Sequence, residues 1–228
     1  MSSWTPNSNH TLTTRQGFVV DQIREAILRG YFKPGQKLDQ HDLANLLNVS
    51  RSPVREALRT LAAEGLVQTV PHRGSVVAEL TLKELEEICL LRGMVESMAT
   101  RLAVPNLSDE QIAELKAVFE ELNGLEESNG TIDLDYWQDL NNQFHNTIYQ
   151  AANLPRFMAL IGSLRNTMAP YLREYINTPE HLAASQQGHI RIFEACANHD
   201  PELAAEEIIR HLEESKEHLQ AVYDKEIK

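Results

Sequence analysis

The sequence predicts a mainly α-helical chain in two parts. A head of three short helices and a small β-hairpin spans about residues 10–78, and an all-helical body of six or seven helices spans 79–228. Three observations carry that expectation. Apolar residues recur at spacings of three and four along most of the chain, which is the period of an amphipathic helix. Between Leu66 and Ala78 the pattern becomes two short valine-rich runs around Pro71-His72-Arg73-Gly74, as in a hairpin. Charge is divided as well: residues 1–78 carry a net +3 and residues 79–228 a net −15, together the −12 of the 228-residue chain.

Each element follows from its own residues. From Thr14 to Arg29, Val20, Ile23 and Ile27 give one apolar helical face, which Pro34-Gly35 ends. Asp39 can cap a second helix that presents Leu43, Ala44 and Leu47, with Asn48 at the turn beyond it. Ser50 or Ser52 then caps a third helix with Pro53 in its first turn, where a missing N–H does no harm. Beyond Leu80, turn signals near 104–106, 128–130, 153–155, 177–179 and 199–201 divide the body into six helical segments. Thr81, Ser108 and Asp200 stand at expected N-caps. On the first of these helices, Leu85, Ile88, Leu91, Val95, Met98 and Leu102 are expected to trace one inward stripe.

With 42% apolar and 24% charged residues, the composition is that of an ordinary globular protein, neither disordered nor collagen-like. Cys89 and Cys196 lie too far apart in sequence for a C-x-x-C clamp, and two cysteines make no disulfide framework, so a reducing cytoplasm is the expected compartment. No run approaches the roughly 18 apolar residues of a membrane span, and the polar opening MSSWTPNSNH lacks the pattern of a leader.

Three short helices followed by a hairpin is the plan of a winged helix-turn-helix, whose third helix enters the major groove. That helix is two-faced: Val54, Ala57, Leu58 and Leu61 on one side, Arg51, Arg55 and Arg59 at intervals of four on another. An arginine fork matches the O6 and N7 acceptors of guanine. Arg51 and Arg55 are placed to reach neighbouring base pairs, while Ser50, Ser52 and Arg59 suit phosphates. Arg73, with His72 at the hairpin tip, suits a minor groove. A lone basic stripe is more often a solvated face, but the surrounding residues argue otherwise. Val49-Ser50-Arg51-Ser52-Pro53-Val54-Arg55-Glu56-Ala57-Leu58, Glu64-Gly65-Leu66-Val67 and Pro71-His72-Arg73-Gly74, with the upstream Pro34-Gly35-Gln36-Lys37-Leu38 and Asp42-Leu43-Ala44, closely resemble the GntR family of bacterial transcription regulators. The resemblance implies that Arg51 and Arg55 read guanines and that His72, Arg73 and Gly74 form a wing contact. His41 departs from it, standing where several relatives have arginine or lysine.

In the acidic body, Asn141 and His145 share one helical face, and His189 and His211 are expected near the starts of two later helices. Three neutral imidazoles and one oxygen suit a divalent first-row metal, with zinc, nickel and manganese all plausible. Histidines on amphipathic helices are more often ordinary polar residues, so spacing alone is weak. The segments Phe144-His145, His189-Ile190-Arg191-Ile192-Phe193-Glu194-Ala195, Asn198-His199-Asp200 and His211-Leu212 resemble the FCD effector domain of the FadR branch of that family. This implies a metal held by Asn141, His145, His189 and His211, zinc foremost, with Asn141 in place of an aspartate. It also implies a small organic acid completing the metal's coordination, with Arg92 and Arg165 as the arginines to pair with it. Trp137, Tyr171 and Tyr175 are candidate wall residues, and His10, His181, His199 and His218 are expected at the surface.

The expectation is therefore a cytoplasmic, homodimeric, ligand-responsive regulator binding double-stranded operator DNA, with no membrane role and no enzymatic one. The alternatives are a regulator for which the metal itself is the signal and, further off, a metal-dependent hydrolase.

Overall fold

A computed structural model describes residues 14–125, 133–175 and 179–226, apart from the side chains of 174, 175, 179–181 and 222–226. The chain divides into two compact units, the first made of Met1–Thr81 with Asn166–Pro170 and the second of Leu82–Arg165 with Tyr171–Lys228.

The first unit holds α1 (Arg15–Leu28), α2 (Gln40–Leu46), α3 (Arg51–Ala63), β1 (Val67–Val70) and β2 (Gly74–Val77). The hydroxyl of Thr14 accepts from the Gly17 N–H at 3.1 Å and starts α1. The Asp39 carboxylate accepts from the N–H groups of His41 and Asp42 and starts α2. Of the two candidate serines, Ser50 takes the cap position of α3 in extended backbone, yet its hydroxyl makes no capping bond. Between α2 and α3, Asn48 turns the chain at φ 53°. The strands pair antiparallel from Val67 opposite Val77 to Val70 opposite Gly74, and Lys37 bridges to Val76. At the tip, His72 and Gly74 both have positive φ, 63° and 83°; glycine takes that conformation without the penalty a Cβ brings. Val19, Ile23 and Ile27 of α1, Leu43 of α2 and Val54, Ala57, Leu58 and Leu61 of α3 form the core, closed by Leu66, Val67 and Val77. Each valine, leucine or isoleucine among them contributes roughly 1.5–3 kcal/mol by leaving water.

The second unit is helical among its described residues: α4 (Leu82–Ala103), a single 3-10 turn (Val104–Asn106), α5 (Asp109–Gly124), α6 (Leu134–Gln150), α7 (Pro155–Tyr175), α8 (Pro179–Ala197) and α9 (Pro201–Glu226). Ser108 and Gln111 close a reciprocal capping box on α5, and the Asp200 carboxylate accepts from the Leu203 N–H at 3.1 Å. Asn153 and His199, both with positive φ, mark two of the expected turns; those at 128–130 and 177–178 lie outside the described residues. α9 packs along α4 and α8, α5 against α6 and α8, and α4 against α6. Cys89 and Cys196 are buried free thiols. No described helix is long and apolar enough to cross a membrane.

One expectation fails on α4. Its buried side is Leu85, Cys89, Arg92, Glu96, Ala99, Thr100 and Ala103, whereas Leu91, Met98 and Leu102 of the expected inward stripe are 41%, 41% and 44% exposed, and the neighbouring Leu90 and Met94 are 67% and 65% exposed. The reason is chemical. Arg92 and Glu96 satisfy each other, and the Thr100 hydroxyl donates to the Glu96 carbonyl at 2.8 Å, so a polar strip can face inward without orphaned groups. The apolar strip is left to the surface.

Candidate nucleic-acid interface and candidate metal centre

The amphipathic pattern of α3 sets the arginines apart from the core. Val54, Ala57, Leu58 and Leu61 are buried, while Ser50, Arg51, Ser52, Arg55 and Arg59 are exposed, as are His72, Arg73 and Gly74 on the hairpin. Arg55 and Arg59 reach Glu56 only at 3.5 Å, with their own side chains 57% and 77% exposed, and exposed pairs of that kind hold a side chain weakly. His41 lies against the row: its Nδ1 is 3.3 Å from Arg51 Nη2, and its Nε2 is 3.4 Å from Asn45 Nδ2. The position that departs from the family pattern thus touches the first arginine of α3.

In the second unit, His145, His189 and His211 converge. All three are buried, one ring nitrogen from each lies within 4.8 Å of the others, and the ring centres are 4.9–5.4 Å apart. His189 and His211 stand ten residues after the prolines that open α8 and α9. They are mid-helix, not near the helix starts as the sequence suggests, because each helix begins at its proline nearly three turns earlier. Burial holds the His145 and His189 imidazoles well below their ordinary value of 6.5, with the charge of Arg165 adding to the first and His211 to the second. Burial, then Arg92, brings His211 down to about 4. All three are neutral near pH 7, as metal ligation requires.

Two hydrogen-bonded chains fix how the rings present themselves. The Tyr149 hydroxyl donates to Glu96 Oε2 at 2.6 Å, so its oxygen is left to accept from His145 Nδ1 at 3.3 Å. Glu96 in turn accepts from Arg92 Nε at 2.7 Å. Burial alone would raise the Glu96 carboxyl, but Arg92 and then Arg165 hold it below the usual range. On the other side, Gln186 donates its amide N–H to Asn123, leaving its Oε1 to accept from His189 Nδ1 at 3.4 Å. Both histidines therefore carry their proton on Nδ1 and keep a bare Nε2. The Nε2 of His189 is fully buried and has no hydrogen-bond partner among the described residues. A buried lone pair without a partner is rare enough to need a reason, and a cation is one that fits this donor set.

A cavity of about 40 Å³ adjoins the triad, lined by Arg92, Trp137, Asn141, His145, His211 and His218 among others. Of the residues expected from the sequence, Asn141 and Arg92 thus reach the same space as two of the histidines. Arg165 does not line it; its guanidinium donates to Asn142 at 2.9 Å and Asn146 at 3.4 Å on α6. Tyr171 is absent from the lining, and the side chain of Tyr175 lies outside the described residues, as do His10 and the side chain of His181. His218, expected at the surface, is half-buried and faces the cavity. Sequence reasoning missed Glu96, Tyr149, Gln186 and His218. The signal existed for three of them: Glu96 is four residues after Arg92, Tyr149 four after His145, and His218 two turns after His211.

Comparison with known proteins bears on both units. Residues 15–77 match the model of the bacterial regulatory proteins of the gntR family, and residues 87–214 match the FCD domain. The HTH-type transcriptional regulator YdhC of Bacillus subtilis is 30% identical over 90% of this chain and 90% of its own. The HTH-type transcriptional regulator McbR of Escherichia coli is 33% identical over 77% of this chain and 79% of its own. Among solved structures, E. coli McbR/YncC superposes with a TM-score of 0.81 at 27% identity, covering 93% of this chain and all of that one. A GntR-type regulator from Rhodococcus sp. RHA1 gives 0.77 at 25% identity, covering 92% and 99%.

Proposed function

Given that the chain belongs to the gntR family of bacterial regulatory proteins and carries an FCD domain, which makes it a transcriptional regulator and not an enzyme, we propose that it is a homodimer reading operator DNA and answering to a small organic acid through a divalent metal ion. Residues 10–78 serve as the DNA-binding domain and 79–228 as the effector and dimerisation domain. The observation that carries the sensing half is the triad of buried neutral imidazoles in which His189 Nε2 has no hydrogen-bond partner among the described residues.

Each residue has a part. Arg51 and Arg55 take guanine edges, Ser50, Ser52 and Arg59 take phosphates, and His72, Arg73 and Gly74 reach the adjoining minor groove. His145, His189 and His211 hold the metal, with the Asn141 carbonyl as a fourth, neutral donor. Bound there, the ion supplies a Lewis-acidic point for a carboxylate. Arg92, already on the cavity wall, supplies a fixed cation beside it, and Tyr149 and Gln186 keep two of the imidazoles in the ligating tautomer. Arg165, held on α6, acts on the pocket through its charge. The exposed strip of α4 supports pairing with a second copy, since large apolar patches on a soluble chain mark interaction surfaces. Effector binding shifts the balance between arrangements of the paired heads only by its differential affinity for them.

Native mass spectrometry and elemental analysis of the purified protein test this directly. We expect about one equivalent of zinc, or of nickel or manganese, per chain, lost on substituting His189. A chain that takes up none of them defeats the metal reading. A second reading, in which the metal alone is the signal, is favoured by the size of the cavity, since about 40 Å³ accommodates a water or two and little more. Operator release on adding metal without any acid would select it.

A further inference from the structure

Gly188 stands on α8 one residue before His189, where a methyl group has no room. A Cβ built on it would overlap Nδ1 of His211 and lie 3.1 Å from its Cγ and 3.3 Å from its Cε1. At Gly93, Gly124 and Gly162, three other helical glycines of this unit, a Cβ would meet nothing within 4 Å among the described residues. Glycine inside a helix is unfavourable relative to alanine because it surrenders more backbone freedom on folding. At Gly93, Gly124 and Gly162 no described residue opposes a side chain; at Gly188 the opposing group is a fully packed imidazole from α9, 6% exposed.

We propose that Gly188 is a positioning residue of the metal centre: by leaving α8 bare at one point it seats the His211 ring against that helix, within reach of His145 and His189. The orientation follows from the near atoms. Nδ1, Cγ and Cε1 are the edge of the ring turned onto α8, so Nε2 is directed away from it. The same edge presentation arises in His145 and His189 from hydrogen bonds to Nδ1; in His211 it arises from shape. This inference rests on the metal reading for its consequence, but the seat itself does not need a metal.

The test uses the full-length protein and four variants: Gly188→Ala, Gly162→Ala as the same change at an open helical position, His211→Ala, and the double Gly188→Ala/His211→Ala. Cobalt(II) serves as the probe, read by its visible absorption and by titration. Gly188→Ala is expected to weaken cobalt binding at least tenfold and to alter the visible band, the scale seen when support for a ligating histidine is lost; Gly162→Ala should leave both unchanged. In EDTA, Gly188→Ala should lower the urea midpoint in the wild-type background and fail to lower it in the His211→Ala background, where the space is vacated. Should Gly188→Ala alone not fold, a folded double variant supports the proposal and an unfolded one overturns it. Equal cobalt binding by Gly188→Ala and Gly162→Ala, with no rescue by His211→Ala, also overturns it. If the wild-type chain binds no cobalt, the metal reading fails by itself, and the EDTA series still decides whether Gly188 seats His211.

Discussion

Replacing Arg51 or Arg55 with alanine removes a guanidinium that is exposed and outside the core, so the fold should stand while operator recognition changes. Each substitution is expected to remove about 1–3 kcal/mol of discrimination at one base pair, whereas Arg59→Ala should weaken binding evenly across sequences and reduce the salt slope by about one. Gel shifts against operator and scrambled competitor at several salt concentrations check both; unchanged selectivity in the first pair would remove the base-reading role. The buried tyrosine obeys other rules. Tyr149→Phe keeps the Arg92–Glu96 pair but takes away the group that accepts from His145 Nδ1. Metal affinity should fall about 10–100-fold, with the helical circular dichroism retained. Glu96→Ala, by contrast, leaves Arg92 buried and unpaired and should destabilise the unit by about 3–5 kcal/mol in urea unfolding. The arginine row was legible in the sequence because helical period alone separates it from Val54, Leu58 and Leu61. The role of Tyr149 was not, since a tyrosine four residues after a histidine reads first as core.

At the scale of elements, helix starts could be read from single residues, but what faces inward could not. Asp39 and Ser50 illustrate the first. Asp39 accepts from two N–H groups of α2, while Ser50 sits at the cap of α3 without a capping bond. Asp39→Ala is therefore expected to lower the urea midpoint, and Ser50→Ala to lower it by less than half as much; equal losses would show that the Ser50 hydroxyl caps after all. Helix α4 illustrates the second. Its strongest apolar periodicity, through Leu91, Met98 and Leu102, marks the face that stays exposed, because Arg92, Glu96 and Thr100 complete one another inside the unit. A periodicity argument assigns the greasy side to the chain's own core; it has no means of distinguishing that core from a partner's surface. On the homodimer reading, Leu90→Glu with Met94→Glu should weaken self-association by tenfold or more in sedimentation velocity, without a loss of helical signal, as both side chains are already two-thirds exposed. A monomeric wild-type chain, or an unaffected dimer, would move the interface elsewhere.

For the molecule as a whole, the division into a +3 head and a −15 body keeps phosphate attraction local, and the cluster of neutralised bases in the body shapes its response to acid. His145, His189 and His211 are held below 6.5 in the folded state, His211 at about 4. Well above pH 6.5 these groups are neutral whether folded or not and contribute nothing to pH dependence. As pH falls below 6.5 the unfolded chain takes up protons that the folded one refuses, so stability drops through the window from 6.5 down to about 4, His211 alone accounting for at most about 3 kcal/mol. Protons and a metal compete for the same lone pairs, so any stabilisation by added zinc, which binds the folded state, should persist through this window and fade only as pH approaches about 4, where folded His211 takes up its proton. Urea unfolding in EDTA at pH 7.5, 6.5 and 5.5 tests this, with His211→Ala as the comparison. The wild-type midpoint should fall between 6.5 and 5.5 more steeply than that of the variant. Parallel curves would mean that His211 titrates as it does in water and that the triad is not the sealed, neutral set on which the sensing half of the function rests.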